Sequence, residues 1–177
     1  MKTNFFGVLL LILSVVPLTK GAAEVYIRYR VLPTTYAAEQ SAQYIQSNLE
    51  MPIKLTISSI TLNSPITTTK DTWVYPENSL VYLQNSVLPG QKGNTVIYGH
   101  NFKSLLGDLN KTKIGDKIEI QLTSGKVITY AITNTYTVTP DQTHILNATT
   151  DARLTLFTCS GFLDSKRLVV IAKQINP

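Results

Sequence analysis

The sequence predicts an all-β fold, a closed or nearly closed β-barrel of about eight short strands with short helices or loops between them. From Ile53 onward, runs rich in Val, Ile, Thr and Tyr follow one another, several alternating with period two. Gly, Pro, Asn and Asp punctuate many of these runs at turn positions. Little helical pattern lies between them, so the strands must close on one another, with a β-sandwich as the second choice.

With 177 residues, the chain is long enough for one domain with a sizeable core. Its net charge of +5 is concentrated ahead of that domain, where Lys2, Lys20, Arg28 and Arg30 are opposed only by Glu24. From Val31 to Pro177 the 12 basic and 10 acidic residues nearly balance. A nucleic-acid-binding face is therefore not implied.

Residues 1–23 read as a signal peptide or membrane anchor. Met1-Lys2-Thr3 gives a short cationic start, and Phe5 to Leu18 is an apolar run broken only by Gly7, Ser14 and Pro17. The run is short against the ~20 apolar residues of a membrane span. Gly21-Ala22-Ala23 loosely meets the small-residue rule for cleavage, while Lys20, Arg28 and Arg30 sit badly with the positive-inside rule if they face outward. Cleavage and retention both stay open, and in either case the bulk of the chain is expected to be exported and extracytoplasmic, membrane-anchored or secreted. Residues 24–52 read as a linker. Within it Tyr36 to Glu50, with Ala37, Ala38, Ala42, Ile45 and Leu49, is compatible with a thin amphipathic helix ended by Met51-Pro52.

Residues 53–177 form the expected barrel. Strands are predicted at 53–57, 79–83, 95–98, 117–122, 127–132, 133–138, 153–159 and 167–173. Ser124-Gly125 reads as a hairpin turn, and Pro89-Gly90, Lys92-Gly93 and Ile114-Gly115-Asp116 mark loops. The run Leu154-Thr155-Leu156-Phe157-Thr158-Cys159 ends in the only cysteine of the chain. Its alternation puts Leu154, Leu156 and Thr158 on one face and Thr155, Phe157 and Cys159 on the other. The period does not say which face is the core.

A lone thiol in an exported chain has no disulfide partner in its own chain, and the question is whether it is a small buried apolar residue or a nucleophile. A thiol of pKa ~8.5 is mostly protonated at neutral pH, so a nucleophilic cysteine needs a base or a cation beside it. The chain has two histidines. His100 follows Gly99 just past a predicted strand, and His144 lies in the polar stretch Thr139 to Thr150. Arg167 opens the last predicted strand, so antiparallel pairing with the cysteine strand would bring it to the same barrel edge as Cys159. There a guanidinium can stabilise an oxyanion or hold a substrate backbone. Taken singly, each of these residues is as well read as structural or solvated.

Taken jointly they resemble the sortase family. Thr155-Leu156-Phe157-Thr158-Cys159 resembles the Thr-Leu-x-Thr-Cys signature of that family, Gly99-His100-Asn101 its strand-end histidine, and Arg167 its arginine. The leader, Pro89-Gly90-Gln91 and Gly115-Asp116 fit as well, and the resemblance covers about Ile53 to Ile175. It implies a cysteine transpeptidase that cuts a Leu-Pro-x-Thr-Gly-like (LPXTG-like) sorting signal of surface proteins, holds the acyl group as a thioester and passes it to an amine acceptor. By position it makes Cys159 the nucleophile, His100 the general acid and base, and Arg167 the oxyanion or positioning group. Thr158 would contact substrate or oxyanion, and the Thr139 to Thr150 segment, with Asp141 and His144, would shape the substrate groove. Asp108, Asp116 and Glu119 make no convincing calcium cluster, so no metal and no cofactor is expected. Leu32-Pro33-Thr34-Thr35 resembles the signal itself, although Tyr36 stands where glycine belongs, and is read as coincidence. The alternative function is a non-catalytic exported β-domain that binds a surface ligand and merely buries Cys159.

Overall fold

The computed structural model describes residues 50–69 and 75–175. The leader at 1–23, and the linker with its helix and its Leu32-Pro33-Thr34-Thr35 segment, lie outside the described residues apart from 50–52. Eight strands follow: β1 (Pro52–Ile57), β2 (Leu62–Thr69), β3 (Leu80–Leu83), β4 (Gly93–Gly99), β5 (Lys117–Leu122), β6 (Val127–Val138), β7 (Ala152–Ser160) and β8 (Lys166–Gln174). They close into a barrel in the order β1-β2-β3-β4-β7-β8-β6-β5. The β2–β3 and β4–β7 pairs are parallel and the rest antiparallel.

Alternation fills the barrel. In β5, Ile118, Ile120 and Leu122 point inward, and in β7 Leu154 and Leu156 do so, joining Leu55, Ile57, Ile97, Tyr130 and Val170 in one buried cluster. A second, smaller cluster of Val138, Val169 and Ile171 covers the outer face of β6 and β8, with Ile145 and Phe157 packed on it. The outward face of β7, carrying Phe157 and Cys159, is therefore the face that meets the loops.

Two details differ from the sequence reading. β2 was not expected, because Asn63, Ser64 and Pro65 break its β pattern. The strand pairs with β1 up to Pro65 and with β3 from Ile66, so the proline sits where one ladder hands over to the other. Conversely, the two strands expected at 127–132 and 133–138 are one strand, β6. A register shift between Ile132 and Asn134 bends it, and the Thr133 hydroxyl donates to the Ile171 carbonyl at 3.2 Å across the irregularity. The expected turns are present. Gly125, at φ 85°, closes the β5–β6 hairpin, and Gly115, at φ 92°, donates its N–H to Ile132 just ahead of β5.

Candidate active site

Strand register brings three of the predicted residues to one end of the barrel. In the β4–β7 ladder Gly99 pairs with Thr158, so His100 and Cys159 are the next residues on two parallel neighbours. In the β7–β8 ladder Cys159 pairs directly with Arg167. Neighbouring strands lie ~4.8 Å apart, so imidazole, thiol and guanidinium stem from three adjacent chains at one rim. All three side chains are half-buried.

Each is held by something local. The His100 Nε2–H donates to the Tyr75 carbonyl at 2.9 Å, which leaves Nδ1 as the nitrogen free for chemistry. The imidazole stacks on Phe102, with centroids 4.6 Å apart and planes 11° from parallel, and Tyr75 tilts against it at 5.4 Å. Burial pushes the Cys159 thiol above its ordinary pKa; the Arg167 charge opposes that rise and the Asp164 charge adds to it. The resting thiol is consequently neutral near pH 7. Burial also raises the Tyr75 phenol, with the Cys159 charge adding to the rise and the Arg167 charge opposing it, so that hydroxyl lies within electrostatic reach of both.

Arg167 does two things at once. Its Nη1 donates to the carbonyls of Asp164 and Lys166, both at 2.8 Å. Leu163 and Asp164 have left-handed backbones, at φ 51° and 57°, a conformation that costs roughly 1–2 kcal/mol for a residue with a Cβ. The two bonds from Arg167 secure this strained β7–β8 turn, and the same anchoring holds the guanidinium beside Cys159.

Thr158 faces inward. It is 2% exposed, and its hydroxyl donates to the Gly99 carbonyl at 2.8 Å. That oxygen is committed to tying the end of β7 to the residue before His100, and is not presented to a substrate as the family resemblance implied.

A groove of about 580 Å³ lies along the outer face of β4 and β7; Arg167 lines it, whereas His100 and Cys159 do not. Its floor includes Tyr98 and Phe157, stacked at 5.2 Å, and its sides carry Leu83, Val138, Ile145 and Leu146, with Tyr75 and Arg167 also lining it. The stretch Thr139 to Thr150 supplies one wall through Thr139, Pro140, Gln142, Thr143, Ile145 and Leu146. Asp141 and His144 are exposed on that segment and do not line the groove. Hydrogen bonding, chiefly from the Thr139 side chain, holds the Asp141 carboxyl below the usual range.

Tyr75, Asn94 and Phe102 escaped the sequence reading. Phe102 stands two residues from His100, and Tyr75 belongs to the aromatic stretch Trp73-Val74-Tyr75-Pro76, which was a usable signal. Among the described residues, no group of three or more His, Cys, Asp or Glu side chains converges as a metal site would require. Asp108 pairs with Lys111 at 2.9 Å, and the Asp116 carboxylate accepts from the Lys113 N–H.

Comparisons with known proteins bear on the family and the fold. A family model described as a sortase domain matches residues 55–175. Sortase A of Bacillus anthracis is 27% identical over 125 residues, 69% of this chain and 58% of that protein. Sortase A of Listeria monocytogenes is 33% identical over 86 residues, 46% of this chain and 38% of that protein. The matched stretches thus span under two thirds of either relative's length. Among solved structures, a lid mutant of sortase A from Corynebacterium diphtheriae superposes with a TM-score of 0.64 at 28% identity, over 74% of each chain.

Proposed function

The chain belongs to the sortase family, and on that premise we propose that it is a cysteine transpeptidase working on surface proteins outside the membrane. Its substrates carry LPXTG-like sorting signals, and its acceptor is an amine at the cell surface. The observation that carries the reading is the register that sets His100, Cys159 and Arg167 on three adjacent strands, with Arg167 also lining an apolar groove.

The residues divide the chemistry as follows. The Cys159 sulfur attacks the threonine carbonyl carbon of the signal while its proton passes to His100. Because burial keeps the resting thiol neutral, this proton transfer accompanies substrate engagement. The oxyanion that forms is stabilised by Arg167, whose Nη1 is taken up by the β7–β8 turn and whose remaining N–H groups are left for it. The C–N bond then breaks as His100 returns the proton to the departing amine, leaving a thioester. In the second half the acceptor amine gives a proton to His100 and attacks the thioester, and the C–S bond breaks as His100 passes that proton to the departing sulfur, restoring the thiol. No step calls on a metal or cofactor.

The groove suits the leucine and proline of such a signal, since its lining is mainly aliphatic and aromatic. Asp141 and His144, exposed on the wall segment, fall to the rim and meet residues flanking the signal. Residues 1–23 direct export and either anchor the protein in the membrane or are cleaved from it.

The test is transpeptidation of an LPXTG-type peptide to a small primary amine. Wild type forms the ligated product, Cys159→Ala forms none, and His100→Ala or Arg167→Ala lowers the rate by roughly 10²-fold or more. Turnover that survives Cys159→Ala refutes the mechanism.

A further inference from the structure

We propose that Asn94, oriented by Thr155, is a positioning residue that sets the groove wall and so determines how tightly the sorting signal is held. Asn94 is only 3% exposed, near the start of β4. Its Nδ2 donates to the carbonyls of Ile145 and Asn147, at 2.9 and 3.2 Å. The Thr155 hydroxyl donates to its Oδ1 at 2.7 Å. That last bond fixes which way the amide points, because it holds the oxygen toward β7 and turns both Nδ2 hydrogens to the wall segment.

The wall needs such an anchor. Its 3₁₀ turn, Thr143–Leu146, is four residues long, lacks a side-chain cap bond and contains no fully buried residue. Ile145 and Leu146 from this turn line the groove. The facing wall is tied to the same strand: the Ser86 hydroxyl accepts from the Val96 N–H at 3.1 Å and donates to the Leu83 carbonyl at 2.6 Å. Both sides of the groove thus hang from β4, and two short side chains set its width. Asn94 precedes His100 by six residues, about 20 Å along an extended strand, so it touches no reacting atom. Its effect belongs to KM and not to kcat. This rests on the groove being the signal site of the proposed transpeptidase.

The test uses the full chain with Asn94→Asp, which keeps the size and removes both donors, Thr155→Val, which removes only the orienting bond, and Thr155→Ser, which restores it. Two quantities are read: hydrogen–deuterium exchange of the amides at 142–148, and steady-state kinetics with an LPXTG-type peptide and a primary amine. Loss of buried hydrogen bonds of this kind is expected to speed exchange at 142–148 and raise KM roughly tenfold in Asn94→Asp, with kcat within about twofold of wild type. Thr155→Val moves both in the same direction by less, and Thr155→Ser stays at wild-type values. Should Asn94→Asp fail to fold by circular dichroism, the Thr155 pair decides alone. Unchanged exchange, or faster exchange with KM unmoved, or a fall in kcat matching the loss in kcat/KM, overturns the positioning role. Wild-type protein that ignores the peptide overturns the transpeptidase reading, and the claim on KM falls with it.

Discussion

Thr158→Val removes one oxygen and leaves the shape of the side chain almost unchanged. The residue is 2% exposed, and its hydroxyl donates at 2.8 Å to the Gly99 carbonyl on the neighbouring strand. Valine strips the carbonyl of that bond in a place water does not reach. A net hydrogen bond contributes about 1 kcal/mol and an unsatisfied buried group costs about 1–3 kcal/mol, so the variant should lose about 2 kcal/mol. For a domain of this size that corresponds to a fall in Tm of roughly 6–12 °C, followed by thermal unfolding in circular dichroism. Because Gly99 holds the strand end that presents His100, transpeptidation should also fall well below the unfolding temperature. A Tm within about 2 °C of wild type would refute the reasoning, since it would mean that the hydroxyl is not what joins the two strand ends.

Other perturbations separate backbone, packing and charge. Gly99→Ala places a Cβ 2.7 Å from Leu80 Cδ2 inside the barrel and should cost about 1–3 kcal/mol with loss of activity, whereas Gly125→Ala meets no atom within 4 Å and should cost only the backbone strain of its φ of 85°, about 1 kcal/mol. Chemical denaturation of the two variants checks the contrast, and equal losses would contradict it. Alkylation of Cys159 by a small thiol reagent should keep rising beyond pH ~8.5 without a plateau, because burial holds the thiol above its ordinary pKa. Arg167→Ala should slow the same reaction at pH 7 by removing the charge that opposes that rise, and an unchanged rate would sink the electrostatic assignment. The Asp151 carboxyl is held below its ordinary pKa, chiefly by Lys173 and secondarily by Thr149 and Arg153. A depressed carboxylate adds stability above its unfolded pKa of ~3.9 that is lost as pH falls through the lower folded value. Asp151→Asn should therefore narrow the stability difference between pH 7 and pH 2, by less than about 1 kcal/mol for so exposed a pair, in pH-dependent denaturation.

The barrel was legible because its inward positions are aliphatic at period two; β5 and β7 read correctly to within a residue or so at each end. β2 was not, because its polar residues and Pro65 carry no β signal and its place is set by two partners distant in sequence. Cys159 and Arg167 could be paired in advance because one antiparallel hairpin joins their strands. His100 beside Cys159 needed more, since β4 and β7 are parallel and 52 residues separate Gly99 from Ala152 in the chain. Asn94 was invisible for a related reason, and the role of Tyr75 was hidden even though its aromatic stretch was not. An Asn at the start of a strand becomes an anchor only when a loop about fifty residues away folds over it, and Tyr75 contributes a main-chain carbonyl, which no side-chain pattern reports.

The most direct measurement is the mass of the protein after brief incubation with an LPXTG-type peptide in the absence of amine, quenched in acid. The predicted result is an adduct equal to the peptide's amino-terminal part through threonine, less one water, located on Cys159, released by hydroxylamine and missing in Cys159→Ala. An unmodified Cys159 in protein that consumes the peptide, or an adduct on any other residue, would contradict the assignment of that sulfur as the nucleophile.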